Sequence, residues 1–233
     1  MNYAFLRSLP EYISRALVLL LCIPVHECAH GYIAYKLGDP TAKLRGRLTL
    51  NPLAHFDKFG CVCMVLFGVG WAKPVPVDPR HFKNPKKGMA ITAAAGPISN
   101  LIMAFIAMIL YKIVYYPYYV YGTRALYYIS LLLFYFVTIN VSLSIFNLMP
   151  VPPFDGSRIF GAVLPDRLYW RIMRYERVIL IIVLILMVAG SFSGVLSSLS
   201  VAVFDGLDVL TRPIDKIMIK ILTSRTLTGG TAV

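Results

Sequence analysis

The chain has 233 residues, of which 58% are hydrophobic and 15% are charged. A soluble domain usually carries about a quarter charged residues, so this composition excludes an ordinary soluble globular protein. Long apolar segments must therefore face lipid, and we predict a multi-pass membrane protein. The net charge of +12 raises nucleic-acid binding as a second interpretation, which depends on where the basic residues lie.

Four apolar segments are long enough to cross a membrane, which takes about 20 helical residues. They cover residues 12–37, 89–111, 125–149 and 178–203. Backbone polar groups in lipid must pair within their own segment, so we predict that these segments are helices. Glycines and serines at 190–194 interrupt the last segment and leave open one long helix or a broken pair. Apolar residues at helical spacing over about 206–222 predict a further helix that lies on the membrane interface.

Basic residues are concentrated on one predicted side of the membrane. Residues 36–87 contain ten lysines and arginines against three aspartates, whereas residues 112–124 contain only two basic residues. By the positive-inside rule, residues 38–88 and 155–177 are cytoplasmic and residues 112–124 lie outside the cell membrane. Basic loops beside an anionic lipid leaflet explain the charge, so we predict the lipid bilayer, and no nucleic acid, as a partner.

Residues 40–88 are rich in proline and glycine and form the least helical region. Within them, residues 45–50 and 61–69 predict two short strands, which turns would join into a β-hairpin or small sheet. Irregular backbone can enter a bilayer only where protein shields it, so this element would be re-entrant or interfacial. The expected fold is an all-α polytopic membrane protein, a single domain over residues 1–233. It has about four transmembrane helices, with the small β element between the first two.

The first apolar segment contains the sequence His26-Glu27-Cys28-Ala29-His30. Side chains four residues apart share one face of a helix, so the two imidazoles can bind one zinc ion. Glu27 lies beside that face, where it can take a proton from a zinc-bound water and deliver it to a leaving amine. The bare pattern also occurs by chance, but ionisable groups in a lipid-length segment are costly and mark functional sites. We therefore interpret His26 and His30 as metal ligands rather than as histidines that bond to neighbouring helices.

Zinc needs a third protein ligand and an open coordination position. Asp155 follows the third apolar segment, after three prolines that end a helix and before a glycine that permits a sharp turn. Such a loop can hold a carboxylate against a neighbouring helix, whereas an isolated aspartate here would only cap a turn or a helix. Two further histidines, His55 and His81, lie in the loop region. We predict one zinc ion per chain, bound by His26, His30 and Asp155.

Two asparagines belong to apolar segments. Asn100 is expected to bond to a neighbouring helix, which is the usual role of asparagine in a membrane helix. Asn147 stands eight residues before Asp155, at the start of the proline-rich loop, and is a candidate active-site residue. Because a straight third helix would leave the bilayer by Met149, we expect the following loop to fold back into it.

Together these motifs resemble the site-2 protease family of intramembrane zinc metalloproteases, in its compact form without a PDZ domain. The resemblance rests on HECAH in the first apolar segment and NLMPVPPFDG after the third. Further matching motifs are GDP at 38–40, GRLTLNP at 46–52, KPVPV at 73–77 and AGPISN at 95–100. By resemblance, His26, His30 and Asp155 would be the zinc ligands and Glu27 the general base.

The resemblance implies hydrolysis of peptide bonds within or next to transmembrane segments of membrane-protein substrates, or of leftover signal peptides. Glu27 would activate the zinc-bound water, and Asn147 would hold the substrate or polarise its carbonyl. The active site would lie toward the cytoplasmic half of the membrane. A membrane metal-binding transporter and an inactive protease-like scaffold remain alternatives, although the chain shows no internal repeat and keeps the ligands and the base. The oligomeric state stays open.

Overall fold

A computed structural model of the chain describes residues 3–57 and 72–228. Within these ranges it contains eight α-helices, which we number in chain order. They are α1 (Tyr3–Lys36), α2 (Thr41–Leu44), α3 (Pro85–Tyr121), α4 (Arg124–Asn147), α5 (Asp155–Gly161), α6 (Asp166–Arg174), α7 (Glu176–Val188) and α8 (Ser193–Thr228). Short 3-10 helices lie at Pro52–Ala54 and Pro79–His81.

Four of the helices contain stretches that are long and apolar enough to cross a membrane. These stretches are Pro10–Lys36, Pro85–Tyr121, Arg124–Asn147 and Ser193–Ser224. Their number and type confirm the predicted all-α polytopic membrane fold. Helix α3 begins where the sequence provides two start signals. The Asn84 side chain accepts a hydrogen bond from the Lys87 N–H at 3.0 Å, and Pro85 occupies the first turn, where no N–H is needed.

The predicted apolar segment 178–203 is divided between two helices, which resolves the alternative that the sequence left open. Gly190 adopts a positive φ of 75° just after α7, and the following N–H, from Ser191, donates to the Leu186 carbonyl at 3.0 Å. This is the closing hydrogen bond of a left-handed helix cap. Helix α8 then continues through residues 206–222, so the predicted interfacial helix is part of α8 rather than a separate element.

One compact unit of the chain comprises Met1–Val18, Leu101–Val141 and Ser198–Val233. Its described residues show how α8 accommodates acidic side chains. The Lys112 ammonium lies 2.9 Å from an Asp208 carboxylate oxygen and 2.7 Å from one of Asp215. The attraction between these opposite charges offsets part of the free-energy cost of removing each charge from water. A long apolar helix can therefore carry these residues, although sequence periodicity alone places them at the interface.

The second compact unit comprises Leu19–Asn100 and Ser142–Ser197. It contains the C-terminal half of α1, the start of α3 and the end of α4. The end of α1 packs against the start of α3 through a buried cluster of Ala34, Phe82 and Met89. This packing fixes the two helices that carry and support the candidate site.

The structure shows no strand over residues 45–50, where the sequence predicts one. Gly46 has a positive φ of 62°, and the Arg47 N–H donates to the Ala42 carbonyl at 2.9 Å. These residues close the C-terminus of α2 with a left-handed glycine, and residues 47–50 continue without a β-ladder. The strand prediction for 45–50 is wrong because its glycine serves as a helix cap.

The second predicted strand, residues 61–69, lies outside the described residues. On either side of it, Phe56 and Ala72 form an antiparallel β-bridge. The Lys73 N–H supports the bridge by donating to the His55 carbonyl at 2.8 Å. The predicted β-hairpin joined residues 45–50 to residues 61–69, so this bridge lies outside both predicted strands and the hairpin is not confirmed.

Candidate metal centre

His26 and His30 present their imidazoles to the same side of α1. Their Nε2 atoms are 3.0 Å apart, and only 8% and 9% of the two residues is exposed. The spacing of four residues places both rings on one face of the helix, one turn apart. The structure therefore brings the predicted pair of histidines together.

Asp155 reaches the same point from a distant part of the chain. Its Oδ2 atom lies 3.3 Å from His26 Nε2 and 3.2 Å from His30 Nε2. After α4 ends at Asn147, the chain turns back and begins α5 with Asp155 as the first residue. The proline-rich loop therefore brings Asp155 to the histidines, and its return into the bilayer stays a prediction.

Gly156 permits this loop to close, but for a different reason from the one predicted. A Cβ atom at Gly156 would collide with the backbone of Leu148 and Met149, and its φ is not positive. The glycine is therefore required for a close approach of two backbone segments rather than for a left-handed turn. This approach carries the neighbouring Asp155 carboxylate to its place.

The three side chains fit a tetrahedral zinc ion. Zinc lies about 2.0–2.1 Å from nitrogen and oxygen ligands, so two ligands of a tetrahedral ion are about 3.3 Å apart. The three separations at this site are 3.0, 3.2 and 3.3 Å. Within the described part of the chain, the buried Asp155 Oδ2 accepts no hydrogen bond. Three ligand atoms around one point, with the carboxylate oxygen left without a donor, fit a divalent cation.

Helix α3 fixes the orientation of His30. The Thr92 carbonyl lies 2.8 Å from His30 Nδ1, and because a carbonyl only accepts, Nδ1 carries the proton and Nε2 is left free to bind metal. One turn along α3, Gly96 lies so close to both imidazoles that a Cβ atom there would collide with them. The Ser144 hydroxyl of α4 donates to the Pro97 carbonyl at 3.0 Å and ties α3 to α4 at this level.

Asn100 follows Gly96 by one turn on α3 and is fully buried. Neither its amide nitrogen nor its amide oxygen has a hydrogen-bond partner among residues 3–57 and 72–228, and the same holds for His26 Nδ1. The expected hydrogen bond from Asn100 to a neighbouring helix is therefore not found there. Of the two histidines, only His30 has its outer ring nitrogen oriented by a described residue.

Glu27 receives a hydrogen bond from a segment far away in the sequence. The Val75 N–H donates to Glu27 Oε2 at 2.8 Å, across 48 positions of the chain. A hydrogen bond to an ionised carboxylate stabilises its charge and fixes its orientation. Sequence reasoning missed Val75, and its only hint is that Pro74 and Pro76 on either side keep this backbone extended.

Asn147, the predicted catalytic asparagine, is the last residue of α4. Its Nδ2 donates to the Leu143 carbonyl at 2.9 Å, one turn back in the same helix. This bond uses one of the two amide N–H groups and orients the side chain at the start of the loop that carries Asp155. No described contact joins Asn147 to the zinc ligands, so its catalytic role stays a prediction.

The two histidines of the loop region have other partners. His55 Nε2 donates to the Thr49 carbonyl at 2.8 Å, and His81 Nδ1 lies 3.0 Å from an Asp39 carboxylate oxygen. Within the described residues, the group of three or more His, Cys, Asp or Glu side chains whose ligand atoms all lie within 4.8 Å of one another is His26, His30 and Asp155. Asp155 is therefore the third ligand that the geometry supports.

Comparison with known proteins agrees with this chemistry. The model of Peptidase family M50 matches residues 14–127 and 119–190 of the chain. The matched stretch contains both histidines of the site, Glu27 and Asp155. No solved structure matches the chain.

Three curated relatives carry the name "Putative zinc metalloprotease". YwhC of Bacillus subtilis (strain 168) is 40% identical over 193 residues, which cover 81% of this chain and 85% of YwhC. Rip2 of Mycolicibacterium smegmatis is 26% identical over 151 residues, which cover 63% of this chain and 54% of Rip2. MJ0611 of Methanocaldococcus jannaschii is 27% identical over 159 residues, which cover 67% of this chain and 76% of MJ0611.

The family match, the relatives and the four apolar helices lead to one assignment. The chain belongs to peptidase family M50, the site-2 protease family, and is a multi-pass membrane zinc metalloprotease.

Proposed function

We propose that the protein hydrolyses peptide bonds within or next to transmembrane segments of membrane-protein substrates, with one zinc ion per chain. The observation that carries this proposal is the convergence of His26, His30 and Asp155 at separations of 3.0, 3.2 and 3.3 Å. When bound there, zinc would polarise the scissile carbonyl and lower the pKa of a water molecule toward about 7. These three residues would hold the ion, and other side chains would transfer protons and bind the substrate.

Glu27 would act as the general base and then as the general acid. The Val75 N–H already occupies Oε2 at 2.8 Å, so we assign proton transfer to Oε1. That oxygen would take a proton from the attacking water and deliver it to the amine that leaves when the peptide bond breaks. The hydrogen bond from Val75 restricts the carboxylate to one orientation, which lowers the cost of aligning it in the transition state.

Asn147 would bind the substrate backbone. One of its amide N–H groups is held by the Leu143 carbonyl, which leaves the other N–H and the amide oxygen for the substrate. An amide donor near the scissile carbonyl stabilises the negative charge that develops on its oxygen. This role is consistent with its position at the start of the loop that carries Asp155.

The position that we propose for the site in the membrane is based on α1. His26 lies ten residues before Lys36, the last residue of α1, or about 15 Å along the helix axis. The basic residues that follow Lys36 would keep this end on the cytoplasmic side of the cell membrane. Substrates would be membrane proteins or leftover signal peptides that unwind locally, because an intact helix hides its scissile carbonyl in hydrogen bonds.

The Val75–Glu27 hydrogen bond favours hydrolysis over metal transport or a scaffold role. Metal binding alone requires His26, His30 and Asp155 and makes no use of an oriented Glu27. A backbone donor aimed at a carboxylate that is not a ligand is instead what general base catalysis needs.

The test is the substitution Glu27→Gln in the detergent-solubilised enzyme, with a single-span membrane protein as substrate. We expect zinc content to stay at one ion per chain and cleavage to fall at least about 100-fold, the usual contribution of a general base. Glu176→Gln makes the same chemical change outside the site and should cleave at the wild-type rate. Cleavage by Glu27→Gln at more than a tenth of the wild-type rate would contradict the proposed role.

The substrate class needs a separate comparison. The same target sequence is presented once as a transmembrane helix and once as a soluble, unstructured peptide of equal length. We expect preferential cleavage of the membrane-embedded form, and efficient cleavage of only the soluble form would overturn the proposed substrate class.

A further inference from the structure

A short extended segment, residues 73–78, lies against α1 beside the metal centre and is fixed at its far end by the buried carboxylate of Asp39. We propose that Asp39 is a positioning residue for Glu27: it holds the 73–78 segment so that the Val75 N–H meets the Glu27 carboxylate. This inference rests on the proposed role of Glu27 as the general base.

The sequence of the 73–78 segment leaves its backbone few donors. Pro74 and Pro76 have no N–H and restrict their neighbours to extended conformations. In an extended chain the N–H groups of alternate residues point to the same edge, so the edge that carries the two prolines has no donor before Asp78. The Val75 N–H lies on the other edge and donates to Glu27. The segment therefore donates to Glu27 from one edge, and on the proline edge its only donor stands at the far end.

The near end of the segment is tied by Arg47. Its guanidinium Nη2 donates to the Lys73 carbonyl at 2.7 Å and to the Pro74 carbonyl at 3.3 Å. The Val75 side chain is buried and lies over Gly31, where an added Cβ atom would be 3.0 Å from Val75 Cγ1. A glycine at this position of α1 thus lets the segment approach closely enough for the Val75 N–H to reach Glu27.

The far end of the segment is tied by Asp39. This residue is fully buried, and its Oδ2 accepts a hydrogen bond from the Asp78 N–H at 2.7 Å. Its other oxygen, Oδ1, accepts from the Thr41 N–H at 3.0 Å and lies 3.0 Å from His81 Nδ1. Burial alone would raise the pKa of Asp39, but the hydrogen bonds from Thr41 and Asp78 outweigh it and keep the pKa below its ordinary value. Asp39 therefore stays ionised and can accept from several donors at once.

The Val75 and Asp78 N–H groups that form these two bonds are only three positions apart in the chain. An extended chain from Val75 to Asp78 spans at most about 10 Å, so a shift at the Asp78 end is transmitted to the Val75 N–H. Asparagine at position 39 would keep one acceptor oxygen and replace the other by an NH2 group. That NH2 group would face either the Asp78 N–H or the donors of Thr41 and His81. Thr41 and His81 present more donors than Asp78 does, so the amide oxygen stays with them and the bond to the Asp78 N–H is the one lost.

The first test reads the hydrogen bond directly and needs no substrate. Hydrogen–deuterium exchange is measured at single-residue resolution on the zinc-loaded wild type and on Asp39→Asn. We expect exchange at the Val75 and Asp78 amides to accelerate at least tenfold in Asp39→Asn while zinc content stays the same. Faster exchange at Asp78 with unchanged exchange at Val75 would overturn the proposal.

A second pair of variants keeps the test sharp if Asp39→Asn does not fold. Asp78→Pro removes the side chain and the N–H that Asp39 binds, and it also moves φ from −108° toward about −65°. Asp78→Ala removes the side chain but keeps the N–H. We expect the Val75 amide to exchange faster in Asp78→Pro and at the wild-type rate in Asp78→Ala. Equal exchange in the two variants would overturn the proposal.

Kinetics then separate positioning from general weakening of the fold. We expect Asp39→Asn to lower kcat about tenfold with KM unchanged. Combined with Val75→Pro, which removes the N–H itself, it should cause no further loss beyond about twofold, because both changes break the same bond. Losses that multiply would overturn the inference. Cleavage by Glu27→Gln would contradict the proposed function. If Glu27→Gln is inactive but the Val75 amide exchanges at the wild-type rate in Asp39→Asn, only this inference is wrong.

Discussion

Two clusters of three ionisable side chains lie among long apolar helices of this chain, and they differ in the source of their positive charge. In the first cluster the positive charge is a lysine side chain of the protein itself. The Lys112 ammonium lies 2.9 Å from Asp208 and 2.7 Å from Asp215, and only 6% of its side chain is exposed. The same ammonium also donates to the Asp208 backbone carbonyl at 3.2 Å. Each carboxylate of this cluster thus has a cationic partner within the chain.

The second cluster consists of two imidazoles and one carboxylate. His26, His30 and Asp155 direct ligand atoms to one point, and no lysine or arginine contacts them among the described residues. We propose that an ion from solution, rather than the protein, completes their charge and geometry. The difference teaches that buried charge in a membrane helix is not in itself a sign of a metal site. A metal site is indicated instead by a set of ligand atoms whose charge no cationic side chain of the protein balances.

The largest effect on the second cluster alone should come from Gly96→Ala. A Cβ atom at this position would collide with the imidazoles of His26 and His30, so one ring must move away from the ligand geometry. We expect zinc affinity to fall by about 10–100-fold, the range seen when the supporting shell of a metal site is disturbed. Competition with a chelator of known affinity measures it.

The control for Gly96→Ala is Gly194→Ala, because a Cβ atom at Gly194 meets nothing within 4 Å. That variant should bind zinc as the wild type does and gain a few tenths of a kcal/mol to about 1 kcal/mol in helix stability. Wild-type zinc affinity in Gly96→Ala would show that α3 does not set the geometry of the histidines.

A second effect, confined to the first cluster, is expected from Lys112→Met. The substitution leaves the carboxylates of Asp208 and Asp215 without their cation. We expect it to lower the free energy of unfolding by about 2–4 kcal/mol, at the low end for a broken buried ion pair because the Asp208 side chain is 45% exposed. Unfolding in mixed detergent micelles measures the change, and zinc content per folded molecule should not move.

The sharper version of this comparison neutralises the whole first cluster. Adding Asp208→Asn and Asp215→Asn to Lys112→Met removes the unpaired charges, so most of the lost stability should return. A triple variant as unstable as Lys112→Met, or a Lys112→Met enzyme that loses zinc, would contradict the distinction between the two clusters.

The sequence alone predicts the parts of the site that have a local pattern. The spacing of His26 and His30 is a helical repeat, and the prolines before Asp155 show that a loop begins there. The distances in the structure bring these residues together as expected. Glu27 could be assigned a role from its place between the histidines, because its chemistry depends on that neighbourhood.

The parts that escaped prediction depend on contacts between distant segments. No local pattern links Val75 to Glu27 or Asp78 to Asp39, because these bonds join segments 48 and 39 positions apart. The full length of α8 could not be predicted from the sequence either. Asp208 and Asp215 are typical of interfacial residues, and only the structure shows that Lys112 pairs with them. Gly46 shows the opposite kind of error. The local pattern around it is typical of a strand, but the residue caps a short helix in the structure.

The most direct test of the zinc site is X-ray absorption at the zinc edge of the wild type and of Asp155→Cys. The wild type should show only nitrogen and oxygen neighbours at about 2.0–2.1 Å. Asp155→Cys should add one sulfur neighbour at about 2.3 Å, because the new thiolate would take the place of the carboxylate. Zinc bound by Asp155→Cys with no sulfur neighbour, or a sulfur neighbour already present in the wild type, would contradict the assignment of Asp155 as the third ligand.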